Sequence, residues 1–404
     1  MTKPMKIRIF DDNEKSRKHF LKRISTVGLS SDRFDIGLLK IKDFRDALDG
    51  MKKRQEAFRK EGRWLTTDPN ILDDVDILII DYDLFEAQPF LDAERIAYLA
   101  RVFTTCGIIV ILNRIGHNPF DLTLKDHFES FADLDIGQDQ LGNPFLWTTD
   151  RRTSDGFAPW YWPSLPALAE DFRKRVEDVQ KAINRNDSIW TFWGFSETTR
   201  NSVPQELIQL LGEIPEETKF KDFVLQSNYG LALKDRAKAV EEDGSIRDTR
   251  TIARVAAARI GKWLEYQLLP EMDILIDAPH LALRLPSLVN GDKIEDWNNI
   301  VVRHTPHIPN FDDKAIEEFV FRKSHWLSRP VWFWRDILET ADIEDIRAPW
   351  KISPPNWVFC EDTSTFCLET ECVEFWANTS SPFSNRFIRR FEGVEYTPLM
   401  RLAL

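Results

Sequence analysis

The chain has 404 residues, 43% hydrophobic and 30% charged, with 54 Lys and Arg against 66 Asp and Glu and a formal net charge of -12. That length holds more than one domain, and the acidic balance excludes a large non-specific DNA-binding face, which needs local positive charge. No apolar run reaches the roughly 20 residues of a membrane span, the opening MTKPMKIRIFDDNE lacks the apolar core of a signal peptide, and four cysteines suit a reducing compartment, so a cytoplasmic protein is expected.

The first predicted strand, residues 6–10 (KIRIF), runs into Asp11, Asp12, Asn13 and Glu14. Helical spacing of Phe20, Leu21 and Ile24 follows over 13–25, and residues 34–41 read as a second strand. Asp43 is the expected N-cap of a helix with Phe44, Leu48, Met51 and Phe58 on one face, ending near Gly62. After an irregular stretch comes VDILIIDYDLF, residues 75–85. Its apolar run, Ile77 to Ile80, has the continuous β-branched and leucine character of a strand buried on both faces of a parallel sheet, and it ends on Asp81 and Asp83. A helix over 91–103, a strand over 107–112 delivering Asn113, a helix over 119–131 and a weak fifth strand over 132–136 complete the pattern. Strands alternating with helices at this spacing predict a doubly wound, five-stranded parallel α/β domain. In such sheets ligands collect at the carboxyl ends of the strands. Two separate strands thus deliver acids to one place.

Trp64 is the sole tryptophan before Trp147, and the other thirteen of 14 follow from there. This shift predicts a first domain over 1–145, a Pro- and aromatic-rich connector over 146–163 and a larger α+β domain over 164–404. In that second region Leu165, Leu168, Phe172, Val176, Val179 and Ile183 form one apolar helix face, and IWTFWGF at 189–195 reads as a strand. Ser202 and Gln205 form a capping box for a helix stopped by Gly212. A helix over 247–269 carries Arg247, Arg250, Arg254, Arg259 and Lys262 beside an apolar face, a basic flank able to meet phosphates, an acidic partner or the chain's own surplus acids. The spacings of Cys360, Cys367 and Cys372 and the pair His304 and His307 do not fit a zinc site. Residues 357–376 alternate as antiparallel strands, and Arg386, Arg389, Arg390 and Arg401 among aromatics form a basic tail.

The first 140 or so residues resemble the receiver domain of two-component response regulators. In that family an acidic pair after the first strand binds Mg²⁺, and an aspartate ending the third strand accepts a phosphoryl group from a histidine kinase. Asp11 and Asp12 match the pair and Asp81 the acceptor, while Asp83 falls where a backbone carbonyl completes the metal site. The resemblance therefore implies Mg²⁺ held by Asp11, Asp12, Asp81 and Asp83, chemistry at Asp81 with Asn113 contacting the phosphoryl group, a kinase or other signalling protein as partner, and a C-terminal output region binding protein or nucleic acid, with a homodimer as one arrangement. Two positions depart from the pattern: Asn113 replaces the Ser or Thr that ends the fourth strand, and Gly137-Gln138 stands where the fifth strand ends in lysine, the nearest lysine being Lys125. Without that cation the phosphoryl oxygens lose a partner. A pseudo-receiver scaffold is thus one alternative. A metal-dependent nuclease of the toprim type, using Glu14, Asp81 and Asp83, is another.

Overall fold

A computed structural model describes residues 3–64, 68–84, 92–113, 130–142, 144–147, 164–183, 185, 187–195, 197–201, 203, 218–226, 240–264, 275–277, 324–327, 331–333, 338, 357–360, 365–376 and 385–388. Five parallel strands form the central sheet: β1 (Met5–Phe10), β2 (Phe34–Leu38), β3 (Ile77–Asp81), β4 (Ile108–Asn113) and β5 (Leu134–Gly137), in the order β2-β1-β3-β4-β5. The long helices described alongside are α1 (Glu14–Ser25), α2 (Ile41–Glu61) and α3 (Ala93–Phe103), and the unit is mixed α/β.

Burial explains the strand order. All five residues of β3 are buried, and Ile109 to Leu112 of β4 are fully so, as expected of central strands covered on both faces. Full burial of each such side chain contributes roughly 1.5–3 kcal/mol. Phe10 stacks on Phe44 of α2 at 3.5 Å between ring centroids, which anchors that helix to the sheet.

Local capping sets the helix ends. Asn13 accepts from the amides of Lys15 and Ser16 to start α1, and Asp92 accepts from Arg95 N to start α3 two residues later than periodicity predicts. The expected cap at Asp43 is corrected: α2 already begins at Ile41 behind an extended Lys40, which places Asp43 in the first turn, where its charge suits the helix dipole. The helix ends as expected, with Gly62 left-handed (φ 70°) and its amide on Phe58 O.

The chain divides into two compact units. Residues 1–147, 165–192 and 210–263 form the first, and 148–164, 193–209 and 264–404 the second. After the short α4 (Pro144–Trp147), the sequence contributes to the first unit α5 (Leu165–Ile183) and, past α6 (Ile189–Trp193), α7 (Glu197–Asn201) and α8 (Phe220–Gln226), the helix α9 (Thr249–Trp263). Helix α5 touches β3 and β4, and α9 packs along α5 and against α3. The fully buried Arg101 of α3 joins these elements: it donates to Gly107 O at 2.7 Å and to the Asp133 carboxylate, and lies 4.4 Å from the Phe172 ring of α5.

Within the run at 189–195, expected as a strand, residues Ile189–Trp193 are helix α6. Ser188 Oγ accepts from Thr191 N at 3.2 Å, and Gly194 at φ 67° ends the turn, so local caps override the β-propensity of the aromatics.

In the second unit β6 (Leu275–Asp277) pairs antiparallel with β7 (Val331–Phe333). The strands β8 (Trp357–Cys360), β9 (Thr365–Leu368), β10 (Val373–Trp376) and β11 (Asn385–Ile388) form a sheet in the order β10-β11-β8-β9. The β8–β9 pair is antiparallel, as the alternation at 357–376 predicts. Trp193 meets Trp326 edge-on at 5.2 Å, and Phe195 meets Phe333 at 6.2 Å. Cys367 is buried and Cys372 partly so. Among the described residues no helix is long and apolar enough to cross a membrane. Most of the expected helix over 119–131 and of the one beyond Ser202, the pair His304 and His307, the connector from 148 to 163, Lys125 and most of the basic tail lie outside the described residues.

Candidate functional site at the carboxyl edge of the sheet

From β1 the chain crosses to β2 on one side and then returns to β3 on the other, so the strand order reverses between β1 and β3. A crevice forms at the carboxyl ends of strands at such a reversal. The pairing register brings Phe10 opposite Ile80, and the next residues along the two neighbouring strands are Asp11 and Asp81. Parallel neighbours lie about 4.8 Å apart. Asp11 and Asp81 are fully buried, and Asp12 is 7% exposed.

The loop that follows β1 fixes its acids by hydrogen bonds. Asp11 Oδ1 accepts from Asn13 N at 2.7 Å, while Asn13 turns its own oxygen to the first amides of α1. Arg17, nearly buried on α1, donates to the Asp11 carbonyl. Asp81 still pairs with Leu112 of β4, and Tyr82 N continues the ladder to Leu112 O at 3.0 Å. Beyond it Tyr82 and Asp83 are exposed and Leu84 is buried, which ties the loop down. The backbone of Asn113 ends β4 opposite Gly137; its side chain is outside the described residues.

Glu14 stands apart from this group. It is exposed and paired with Lys18 at 2.8 Å along α1, and the Lys18 hydrogen bond holds its carboxyl below the ordinary range. The structure thus brings together Asp11, Asp12 and Asp81, and leaves Glu14 on the helix surface.

Among the described residues no group of three or more His, Cys, Asp or Glu side chains is arranged to hold a metal ion by itself. Mg²⁺ requires less, because it keeps several waters and takes one or two carboxylates. The oxygen donors of these buried aspartates are of the type such a hard cation takes.

The basic flank of α9 is directed differently from one residue to the next. Arg254 is 5% exposed and donates to Cys106 O at 2.9 Å and Arg101 O at 3.4 Å, so it faces inward and not toward a macromolecular partner. Arg259 lies 5.3 Å from the Phe131 ring and Lys262 donates to Ser130 O, both nearly buried. Arg247, expected on the helix, precedes it by two residues, bonds Glu61 O at 3.2 Å and pairs with Glu241, and Arg250 is exposed. Sequence reasoning treats this flank as one surface because helical spacing alone does not show that α3 and α5 cover part of it. It also misses Arg101, although a single arginine inside the apolar run IAYLARVF is a signal that its charge is satisfied internally.

The chain matches no family model, no curated protein and no solved structure with which it was compared.

Proposed function

We propose that the chain is a signalling protein whose first unit is a doubly wound, receiver-like phosphoacceptor domain controlling a C-terminal α+β output region that binds a macromolecule. The observation that carries this reading is the side-by-side exit of Asp11 and Asp81 from β1 and β3, both fully buried, with Asp12 next to them, at the reversal of strand order.

Asp81 is the acceptor in this reading. One carboxylate oxygen attacks the phosphorus of a phosphodonor such as acetyl phosphate; the new O–P bond forms as the bond to acetate breaks, and acetate leaves. Asp11 and Asp12 would hold Mg²⁺, which when bound supplies positive charge against the transferring phosphoryl oxygens. Arg17 fixes the loop by holding the Asp11 carbonyl, and burial excludes water from the acceptor. Asn113, at the end of β4, would donate to a phosphoryl oxygen. The upstream donor protein in this reading is a histidine kinase.

Intact-protein mass after incubation with Mg²⁺ and acetyl phosphate tests the proposal. A phosphoryl adduct in the wild type and none in Asp81→Asn is the expected result. A folded wild type that gains no mass overturns the phosphoacceptor reading.

A further inference from the structure

The opposite, amino-terminal edge of the same sheet lies wholly within the first unit. A groove of about 900 Å³ opens there between the residues that lead into β1 to β4 and the helices α5 and α9. That is the size of pocket that takes a small organic ligand. Arg254 and Arg250, one turn apart on α9, both line it.

Their electrostatic setting is unusual. Arg254 has its Nε buried without a hydrogen-bond partner and makes no ion pair among the described residues. Arg101 and Arg250 beside it are of like sign, and the Cys106 thiol is its neighbour of opposite effect. Burial, the largest cause, draws the guanidinium down to about 10 with the two arginines adding to it, while the Cys106 thiol opposes them and favours the charged form; the group stays protonated at neutral pH. Arg101 already has Asp133 as its partner, so that carboxylate does not compensate the other two. Arg250 is exposed and has neither ion pair nor hydrogen bond among the described residues. A buried cation is tolerated only when something compensates it.

We propose that this groove binds the phosphate group of a small phosphorylated metabolite through Arg250 and Arg254. A phosphomonoester carries close to two negative charges at neutral pH, which matches two guanidinium groups, and their forked donors suit phosphate oxygens. The groove exceeds the size of a phosphate ion alone. Its other walls include Asp74 and Glu170, acceptors for the hydroxyl or amino groups of a nucleoside-sized remainder. The occupied Arg173–Asp76 pair borders the same space and limits how far the ligand extends.

Calorimetric titration of the full chain with AMP, inorganic phosphate and adenosine tests the proposal. Phosphate-bearing probes are expected to bind at millimolar concentration or better, and adenosine not to bind. Arg250→Ala, an exposed position that leaves the fold intact, is expected to weaken binding at least about tenfold, whereas Asp81→Asn binds like the wild type, which separates this site from the carboxylate crevice. Tighter binding of AMP than of phosphate supports a nucleotide-sized ligand, and equal affinity supports the phosphate group as the whole determinant. Absence of heat with both phosphate probes, or undiminished affinity in Arg250→Ala, overturns the proposal.

Discussion

The guanidinium of Arg54 on α2 grips both carboxylate oxygens of Asp73, at 2.9 and 2.7 Å, and its remaining donors reach Phe103 O and Asp68 O. The Asp73 carboxylate also accepts from the amides of Asn70 and Thr105. This pair fastens the irregular stretch before β3 to α2 and to the end of α3. Burial by itself would raise the Asp73 pKa, but the Arg54 hydrogen bond and the two amides outweigh it and hold the carboxyl below its ordinary 3.8. A depressed carboxylate stabilises the fold above its unfolded value and loses that contribution as pH falls through the folded one. Asp73→Asn is therefore expected to cost about 3 kcal/mol at neutral pH, with the gap to wild type closing as the pH drops below 3.8. Urea denaturation of both proteins across that range checks it; a gap independent of pH would contradict the pair's role.

Gly107 is required by packing and not by its own dihedrals. A Cβ at that position would run into the Asp76 carbonyl, where the segments entering β3 and β4 cross closely and Gly107 N donates to Val75 O at 2.7 Å. Backbone cannot swing aside as a side chain can. Gly107→Ala is expected to destabilise by about 2 kcal/mol or more, in the manner of an overpacked core, visible as a lowered melting temperature. A neutral substitution would show that the two segments have room to part.

Residues 1–147 expressed alone are expected not to fold cooperatively. Removing everything after Trp147 strips away α5 and the α9 packed on it, exposes the β3 and β4 side that α5 touches, and leaves Arg101 without the Phe172 ring over it. Amide dispersion in a two-dimensional NMR spectrum of the fragment is the readout. A well-dispersed spectrum would show that the returning helices are an addition to a self-sufficient sheet.

Of Asp11, Asp12 and Asp81, Asp12 alone reaches the surface at all, at 7% exposure. Asp12→Asn keeps its shape and removes one charge. It is expected to weaken Mg²⁺ binding by about tenfold or more, since the hard cation depends on carboxylate charge, while the melting temperature without metal stays within a few degrees of wild type. Isothermal titration with Mg²⁺ measures it; unchanged affinity would remove Asp12 from the proposed metal site.

Several features follow from the sequence alone because their causes are local. The β-branched run of β3, the apolar spacing of α1, the glycine stop of α2 and the alternation of β8 and β9 depend on residues a few positions apart. The succession of strands and helices likewise makes Asp11, Asp12 and Asp81 the residues to examine, because a strand's end is fixed by the strand. Local context also misleads where two local signals compete, as at α6, where Ser188 and Gly194 prevail over five residues rich in aromatics.

Tertiary structure decides whatever depends on which distant segments meet. Only the strand order makes Asp11 and Asp81 neighbours at a reversal, since β2 and α2 separate them in sequence. Only the return of α5 and α9 to the sheet turns Arg254 from a surface charge into a buried donor to the Cys106 carbonyl. The spacing of arginines along a helix specifies a face, but burial and electrostatic environment are set by what packs on that face, and those partners lie 148 and 153 residues away in the chain.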